Sequence, residues 1–114
     1  MPERTLAEIC EALGAEVHVV GDASRSAGRV TAGDLLSFVM GGDSDGAVWV
    51  TIQTHLNVAA VAVLKDMPMI IIASGRTPAP DLALRCGKEN IALVTSGLSI
   101  FGTCAALSSL GLSG

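Results

Sequence analysis

The first third of the chain changes from a helical to a strand-like pattern of hydrophobic positions. Thr5 and Glu8 have the spacing of a capping box, in which each side chain bonds the backbone N–H of the other residue. Four apolar residues then recur at the spacing of one helix face: Leu6, Ile9, Cys10 and Leu13. A helix is therefore predicted up to Gly14, a residue that favours helix C-caps. The segments predicted next are a strand at Glu16–Val20, a loop at Gly21–Gly28, a strand at Arg29–Thr31, a helix at Asp34–Met40 and a polar turn at Asp43–Gly46.

The second half alternates apolar strands with helices. Its three strand segments are apolar at nearly every position, as strands covered on both faces are: Ala47–Ile52, Met69–Ala73 and Ile91–Val94. A helix is predicted after each of them: His55–Lys65, a helix from N-cap Thr77 and first residue Pro78 to about Asn90, and Leu98–Leu110. Alternation at roughly 20 residues per unit predicts parallel strands joined by right-handed crossovers. The sequence thus predicts one domain, residues 1–114, folded as a three-layer α/β/α sandwich with a mainly parallel sheet of about five strands. The strand order in the first half stays open.

The helix predicted at His55–Lys65 has no polar stripe between its ends. A helix that is apolar all round is usually buried on more than one side. In a chain of 114 residues one side would contact the sheet, and another is available to a second subunit. Small residues that permit close helix–helix approach lie along it: Ala59, Ala60 and Ala62. We therefore expect a homodimer or a higher closed oligomer, with an isologous pair favoured.

Composition restricts the class of protein. Half of the residues are hydrophobic, 16% are charged and the net charge is −4, which excludes a disordered chain and argues against binding to nucleic acid through phosphate contacts. The apolar stretch Val58–Ile72 is interrupted by Lys65, Asp66 and Pro68, and the sequence starts without a signal-peptide pattern. We therefore expect a cytoplasmic protein without a membrane span. The three cysteines lack metal or disulfide spacing and are interpreted as reduced apolar fillers: Cys10, Cys86 and Cys104.

The three apolar strands each end in a short polar segment. In a parallel sheet these segments lie along one edge, where open α/β folds bind ligands, and each precedes the positively polarised start of a helix. A small anion or a nucleotide is therefore the predicted ligand, and Arg76 would add a bidentate contact to its phosphate or carboxylate. The candidate ligand-binding residues are Gln53, Thr54, His55, Asn57, Ser74, Gly75, Arg76, Thr95 and Ser96.

Several of these residues also have a structural interpretation, which the sequence leaves open. Thr54 would serve as an N-cap, Asn57 would satisfy the first helical turn at position N3, and Gly75 would serve backbone geometry. His55, at position N1, is either a ligand or proton-transfer residue or a hydrogen-bonded structural one. Arg76 is equally well explained as a solvated or interface charge. One further histidine alternates with valines and is interpreted as a strand residue facing solvent or a neighbour: His18.

Motifs of the common enzyme classes are missing from the sequence. It holds no G-x-x-x-x-G-K-[ST] phosphate loop, no helix-opening G-x-G-x-x-G, no G-x-S-x-G elbow and no His, Cys or Asp cluster with metal-ligand spacing. We therefore expect no cofactor, no metal and no catalytic residue. Two alternatives stay open: a dimerisation scaffold without a ligand, and a small enzyme that uses His55 as acid or base while Asn57 and Arg76 orient an anionic substrate.

A resemblance to a known family is carried mainly by two stretches, Gly33–Met40 and Val48–Ala62. The second contains the most specific string, Thr-Ile-Gln-Thr-His-Leu-Asn, which ends at Asn57. Together with Ser74–Pro78 and the strand Ile91–Thr95, these stretches resemble the DRTGG-domain family, and in particular its small stand-alone members encoded near iron-only hydrogenase genes. The similarity covers roughly residues 1–110, without the Asp-Arg-Thr-Gly-Gly string that gives the family its name.

This resemblance implies a fold similar to the HPr kinase N-terminal domain and the related domain of Mur ligases. It also implies a non-catalytic regulatory module: a homo-oligomeric domain that senses a small ligand or acts as an adaptor for a protein partner, with a link to hydrogenase or redox metabolism. The kinase chemistry of the HPr kinase family belongs to a separate P-loop domain, and the motif of that domain is missing from this sequence.

Overall fold

Seven strands and five helices make up residues 3–114, the part of the chain that the computed structural model describes. In chain order they are β1 (Arg4–Thr5), α1 (Leu6–Leu13), β2 (Glu16–Val19), β3 (Ser26–Ala27), β4 (Val30–Ala32), α2 (Leu36–Gly41), β5 (Val48–Thr51), α3 (Asn57–Leu64), β6 (Met69–Ile72), α4 (Pro80–Lys88), β7 (Ala92–Thr95) and α5 (Ile100–Ser109).

A five-stranded sheet in the order β2-β7-β6-β5-β4 lies at the centre of the fold. Strands β4 to β7 are parallel, and β2 joins the edge antiparallel to β7. The parallel strands end in register, so that Thr51 of β5 lies beside Ile72 of β6, and Ile72 beside Thr95 of β7. The prediction of an α/β fold with a mainly parallel sheet of five strands is confirmed, and the structure supplies the strand order that the sequence left open.

Helices cover both faces of the sheet. Successive side chains of each strand point to opposite faces and therefore enter two different cores. Trp49 and Ile70 belong to the core that also contains residues of α2, α3 and α4. The next residues along the same strands, Val50 and Ile71, belong to the core shared with α1 and α5. Every residue of β5, β6 and β7 is buried, and each large aliphatic side chain buried in this way contributes about 1.5–3 kcal/mol. The predicted three-layer arrangement is therefore confirmed.

The first helix forms as its sequence signals predict. The Thr5 hydroxyl accepts a hydrogen bond from Glu8 N at 3.1 Å, and Glu8 Oε1 accepts one from Thr5 N at 2.9 Å. These bonds to Thr5 hold the pKa of the Glu8 carboxyl below its usual value. Gly14 ends the helix in the left-handed conformation, with φ of 58°.

The start of α3 differs from the prediction. The helix begins at Asn57, and its N-cap residue is Leu56, which makes no side-chain capping bond. Thr54 is therefore not an N-cap, His55 does not occupy N1, and Asn57 lies at N1 rather than N3. The prediction was wrong because the chain uses these residues to cross from β5 to the neighbouring loops, where Thr54 O accepts a hydrogen bond from Ala79 N at 2.9 Å.

The start of α4 is also later than predicted. Pro80 is its first residue and Ala79 its N-cap, so the prediction of Thr77 as N-cap and Pro78 at N1 was wrong. The residue before a proline is sterically disfavoured in the helical conformation, and Ala79 is accordingly extended (φ −62°, ψ 144°). With a proline at position 80, a helix that began at Pro78 would have to hold Ala79 in that disfavoured conformation.

The segment Gly21–Gly28, predicted as a loop, contains one short element. Ser26 and Ala27 form β3, which pairs antiparallel with β1. A strand of two residues is too short to show a periodic pattern in the sequence, and the pairing of β3 with β1 depends on contact between distant parts of the chain.

Within residues 3–114, no helix combines the length and apolarity that crossing a bilayer requires.

Candidate functional site

The carboxyl ends of the parallel strands meet at one edge of the sheet. Backbone hydrogen bonds join them there, from Ala73 N to Thr51 O at 2.9 Å and from Ser96 N to Ile72 O at 2.8 Å. We call this edge the rim and define it as residues 33–35, 52–56, 73–79 and 95–99. The polar segments that the sequence assigned to one edge do lie together, whereas their binding of a ligand stays a prediction.

A tight turn at the tip of β6 lies at the centre of the rim. Ser74 and Gly75 are both left-handed, with φ of 62° and 66°. Glycine adopts this conformation freely, whereas for another residue it costs roughly 1–2 kcal/mol. The adjoining β7 loop accepts both backbone donors: Ser74 N donates to Leu98 O at 2.7 Å, and Gly75 N donates to Ser96 O at 2.9 Å. The protein therefore uses these N–H groups itself, and the exposed Ser74 hydroxyl is what the turn offers to a ligand.

Arg76 follows this turn and bridges two strand ends. Its Nη1 donates to Ile52 O at 2.9 Å, which holds the exposed guanidinium beside the end of β5. Among residues 3–114, Arg76 is the arginine without a carboxylate within 4.0 Å. Every other arginine of this range has an acidic partner: Arg4 with Glu8, Arg25 with Asp66, Arg29 with Asp43, and Arg85 with Glu89. The remaining guanidinium donors of Arg76 are thus available to an anion from outside the described chain.

Thr95 fastens β7 to both of its neighbours at the rim. Its hydroxyl donates to Arg76 O at 2.9 Å and lies 2.8 Å from His18 Nε2. A hydroxyl has one proton, so Nε2–H of the imidazole donates in the second bond. His18 is therefore a strand residue that contacts a neighbour, one of its two predicted environments. It sits where β2 bulges against β7, between Val17 and Val19.

Ser96, a predicted ligand-binding residue, is fully buried. Its Oγ lies 2.9 Å from Thr103 Oγ1 of α5 and accepts a hydrogen bond from Leu98 N at 3.2 Å. These bonds attach the start of α5 to the end of β7. The structure thus places Ser96 at the rim but inside the protein, where it positions the loop rather than faces solvent.

The segment from the end of β5 to the first residue of α3 carries four of the predicted residues. The Gln53 side chain donates through Nε2 to Asp34 O at 3.1 Å. Thr54 contributes its carbonyl to the bond with Ala79 described above. His55 and Asn57 are exposed, and no hydrogen bond between their side chains and residues 3–114 is present. Gln53 and Thr54 therefore hold the rim together, while the exposed side chains of His55, in the rim, and Asn57, next to it, are free.

Sequence patterns missed two side chains that hydrogen-bond within or to the rim, Asp34 and His18. Asp34 Oδ1 accepts hydrogen bonds from Thr51 Oγ1 and from Ile52 N, both at 2.8 Å. Its position after an apolar strand segment was a usable signal, since β4 is parallel to β5 and ends at the same edge. His18 gave no such signal, because it reaches the rim only through the antiparallel direction of β2.

Large apolar side chains are exposed around these polar groups. Leu35 follows β4, Leu56 follows β5, and Leu98 follows β7. Phe101, in the first turn of α5, is 82% exposed and is the most exposed of the large hydrophobic residues. The rim therefore offers one unpaired guanidinium together with apolar surface.

Other surfaces of the described chain present fewer unpaired groups to a ligand. A cleft of about 570 Å³ lies at the opposite end of the sheet, and its arginines, Arg25 and Arg29, are already paired with aspartates. No group of three or more His, Cys, Asp or Glu residues within positions 3–114 is placed to hold a metal ion. The three cysteines have free thiols, and burial raises the pKa of Cys86 to about 11.

The fold is similar to part of a solved structure. That structure is a crystal structure of the CBS and DRTGG domains of the regulatory region of a Clostridium perfringens pyrophosphatase, complexed with its activator, diadenosine tetraphosphate. The match has a TM-score of 0.76 at 19% sequence identity, and it covers 90% of this chain and 45% of that one. This chain therefore spans less than half the length of the chain it matches.

At this level of identity the likeness concerns the fold alone. No family model matches the sequence. No curated protein matches it either.

Proposed function

We propose that this protein is a non-catalytic regulatory module that senses a small anionic ligand, of the nucleotide class, at the rim. The observation that carries the proposal is the exposed Arg76 guanidinium, which is fixed on a backbone carbonyl and lacks the acidic partner that every other arginine of residues 3–114 has. An arginine held in this way binds phosphate or carboxylate with little further loss of side-chain freedom.

Two further observations support a regulatory role. The similar solved chain is a regulatory region, and it was crystallised with a nucleotide activator. At the rim of this chain, exposed groups flank Arg76 along the sequence: the Ser74 hydroxyl and the Gly75 backbone precede it, and the Thr77 hydroxyl follows it. An added Cβ at Gly75 would have no atom within 4 Å, so the turn leaves space for a ligand. Hydroxyls and a guanidinium are suitable donors for phosphate oxygens.

Calorimetric titration tests this proposal. We expect the wild-type protein to bind adenine nucleotides or diadenosine tetraphosphate, and Arg76→Ala to weaken binding about tenfold or more, because a hydrogen bond to a charged group contributes roughly 1.5–3 kcal/mol. Lys88→Ala is the matched control. It removes one positive charge from α4, and Lys88 also lacks a carboxylate within 4.0 Å in the described residues. Equal binding by both variants, or no binding by the wild type, would contradict the proposal.

Homodimerisation through α3 is the second part of the proposal. One side of α3 faces the sheet, and its other side exposes a set of uncharged residues: Leu56, Ala60, Val63 and Leu64. Phe38 of α2 and Leu84 of α4, in the same layer, are exposed as well. A second copy of this chain would cover this surface by an isologous contact, which is the commonest way in which identical chains pair.

Sedimentation analysis of two charge variants tests the dimer. Leu64→Glu places a carboxylate on α3 at a residue that is 68% exposed, and it should weaken a dimer roughly tenfold or more. Val20→Glu is the control, since Val20 is similarly exposed, at 70%, but follows β2 at the far edge of the sheet. A wild-type protein that sediments as a monomer would refute this part, whatever its ligand binding.

Experiments on the same samples distinguish ligand sensing from two other functions, a scaffold without ligand and an enzyme. A dimer that binds none of the nucleotides or phosphorylated metabolites in a broad panel would favour the scaffold without ligand. Turnover of a metabolite that is lost in His55→Ala would favour an enzyme, since His55 is an exposed imidazole at the rim. A protein partner from hydrogenase or redox metabolism, as the family resemblance implies, belongs to the adaptor form of the proposal and is tested by co-purification with the candidate enzymes.

A further inference from the structure

We propose that Phe101 and Leu98 form a platform that stacks against the base of a nucleotide whose phosphate is bound by Arg76. This inference rests on the proposed function, and it adds which part of the ligand is recognised and by which residues. According to this inference, the ligand of the rim is a nucleotide rather than an inorganic phosphate or a small carboxylic acid.

The exposure of the platform is its first support. Phe101 is 82% exposed and Leu98 is 44% exposed, so neither side chain stabilises the core to the extent that its size allows. An added Cβ at Gly102 would lie 3.2 Å from Leu98 Cβ, which places Leu98 directly against the first turn of α5, the turn that also carries Phe101. A flat aromatic ring next to an aliphatic side chain is a surface that suits a planar base.

The platform is attached to the segment that carries Arg76. Ser74 N donates to Leu98 O at 2.7 Å, and Gly75 N donates to Ser96 O at 2.9 Å, so residues 74 and 75 run alongside the β7 loop. The buried contact of 2.9 Å between Ser96 and Thr103 fixes α5 to the same loop. The backbone segments that carry Phe101 and Arg76 therefore belong to one hydrogen-bonded frame, which limits the backbone ordering that ligand binding requires.

The two groups differ chemically, as the two ends of a nucleotide do. The guanidinium lies at the end of β5, where it bonds Ile52 O, and Leu98 follows β7, with β6 between these strands. Because Ser74 N donates to Leu98 O, Leu98 lies beside the tip of β6, the strand that neighbours β5. A nucleoside polyphosphate carries a base and phosphates in one molecule and can contact both groups, whereas an inorganic phosphate reaches only one of them. Stacking alone would favour purines for their larger ring area, without strong selection among them.

Titrations of ATP and of inorganic tripolyphosphate into the full chain test this inference. We expect Phe101→Ala to weaken ATP binding roughly 5- to 150-fold, the range that corresponds to 1–3 kcal/mol of stacking, and to leave tripolyphosphate binding unchanged. Arg76→Ala should weaken the binding of both. Val20→Ala is the matched control, because Val20 is an apolar residue that is 70% exposed and follows β2 at the end opposite the rim, and it should change neither.

The outcomes separate this inference from the proposed function. If ATP and tripolyphosphate bind equally well and Phe101→Ala changes neither, the platform is refuted while anion sensing stands. If neither ligand binds, both fall. Phe101→Leu keeps an apolar side chain without the ring, so wild-type affinity of this variant for ATP would refute stacking. Loss of both ligands in Phe101→Ala would also overturn the inference, since it would assign Phe101 a purely structural role.

Discussion

The close approach of Gly21 to β7 yields a sharp test of how the antiparallel edge strand is attached. Gly21 follows β2 with φ of 76°, and an added Cβ would lie 2.5 Å from Ala92 N and 2.8 Å from Ala92 Cα. Contact this short with backbone atoms requires β2 or β7 to move. We therefore expect Gly21→Ala to be one of the most destabilising alanine substitutions at a glycine of this chain.

The expected loss of stability in Gly21→Ala has two contributions, and a substitution at a second glycine measures one of them alone. The left-handed conformation alone costs an alanine roughly 1–2 kcal/mol, and forced overpacking adds typically 1–3 kcal/mol, so Gly21→Ala should lose about 2–5 kcal/mol. Gly14→Ala is the matched control. Its φ of 58° is also left-handed, but an added Cβ would have no atom within 4 Å, so it should lose only the first part.

Urea and thermal unfolding followed by fluorescence measure both variants, because Trp49 is the one tryptophan of the sequence and is fully buried. With a change in melting temperature of about 4 °C per kcal/mol, Gly21→Ala should melt several degrees below Gly14→Ala. If the two variants unfold within about 0.5 kcal/mol of each other, the approach of Gly21 to Ala92 does not constrain the fold, and the reasoning fails.

Three further predictions concern single side chains. Asp34→Ala should lose about 1–3 kcal/mol in urea unfolding, because it leaves the donors of Thr51 and Ile52 unpaired, and Asp34→Asn, which keeps an acceptor oxygen, should lose clearly less. The pKa of Glu8 is lowered in the folded state. The stability that the Glu8 carboxylate contributes is therefore present above its usual pKa of 4.5 and is lost as the pH falls from there through the folded value. Glu8→Gln keeps the capping box and should remove this loss from the pH dependence of the melting temperature. Because burial raises the pKa of Cys86 to about 11, its thiol should react with iodoacetamide at pH 8 much more slowly in the folded than in the unfolded protein, and equal rates would contradict the assigned burial.

The parts of the fold that sequence patterns predicted are those governed by burial. The segments of β5, β6 and β7 are apolar at nearly every position because both faces of these strands are covered, and their bounds differ from the predicted ones by one or two residues. The first helix was predicted from Thr5 to Gly14 because its capping signals act within a few residues. Local signals of this kind need no knowledge of the strand order.

The errors arose where a contact between distant residues decides the local structure. The starts of α3 and α4 are both later than predicted, and Thr54 O and Ala79 N bond each other in the loops that precede these helices. Thr54 is a good N-cap residue by its chemistry, and the polar run before Asn57 contains no signal that the cap is not used. His18 could not be assigned to the rim, because the direction of β2 depends on which strand it pairs with.

The hydrogen bonds of the rim decide which ligand chemistry it leaves open. Its backbone donors at Ser74 and Gly75 are used by the β7 loop, and the Thr95 hydroxyl is shared between Arg76 O and His18. An anion that depends on backbone N–H groups, as at a phosphate loop, would have to break these bonds, each of which contributes about 0.5–1.5 kcal/mol. What stays free is the Arg76 guanidinium, the Ser74 hydroxyl, the side chains of His55 and Asn57, and apolar surface. A ligand that meets the guanidinium and the apolar surface, with charge at one end and a planar apolar group at the other, is the kind that this rim binds without breaking its own structure.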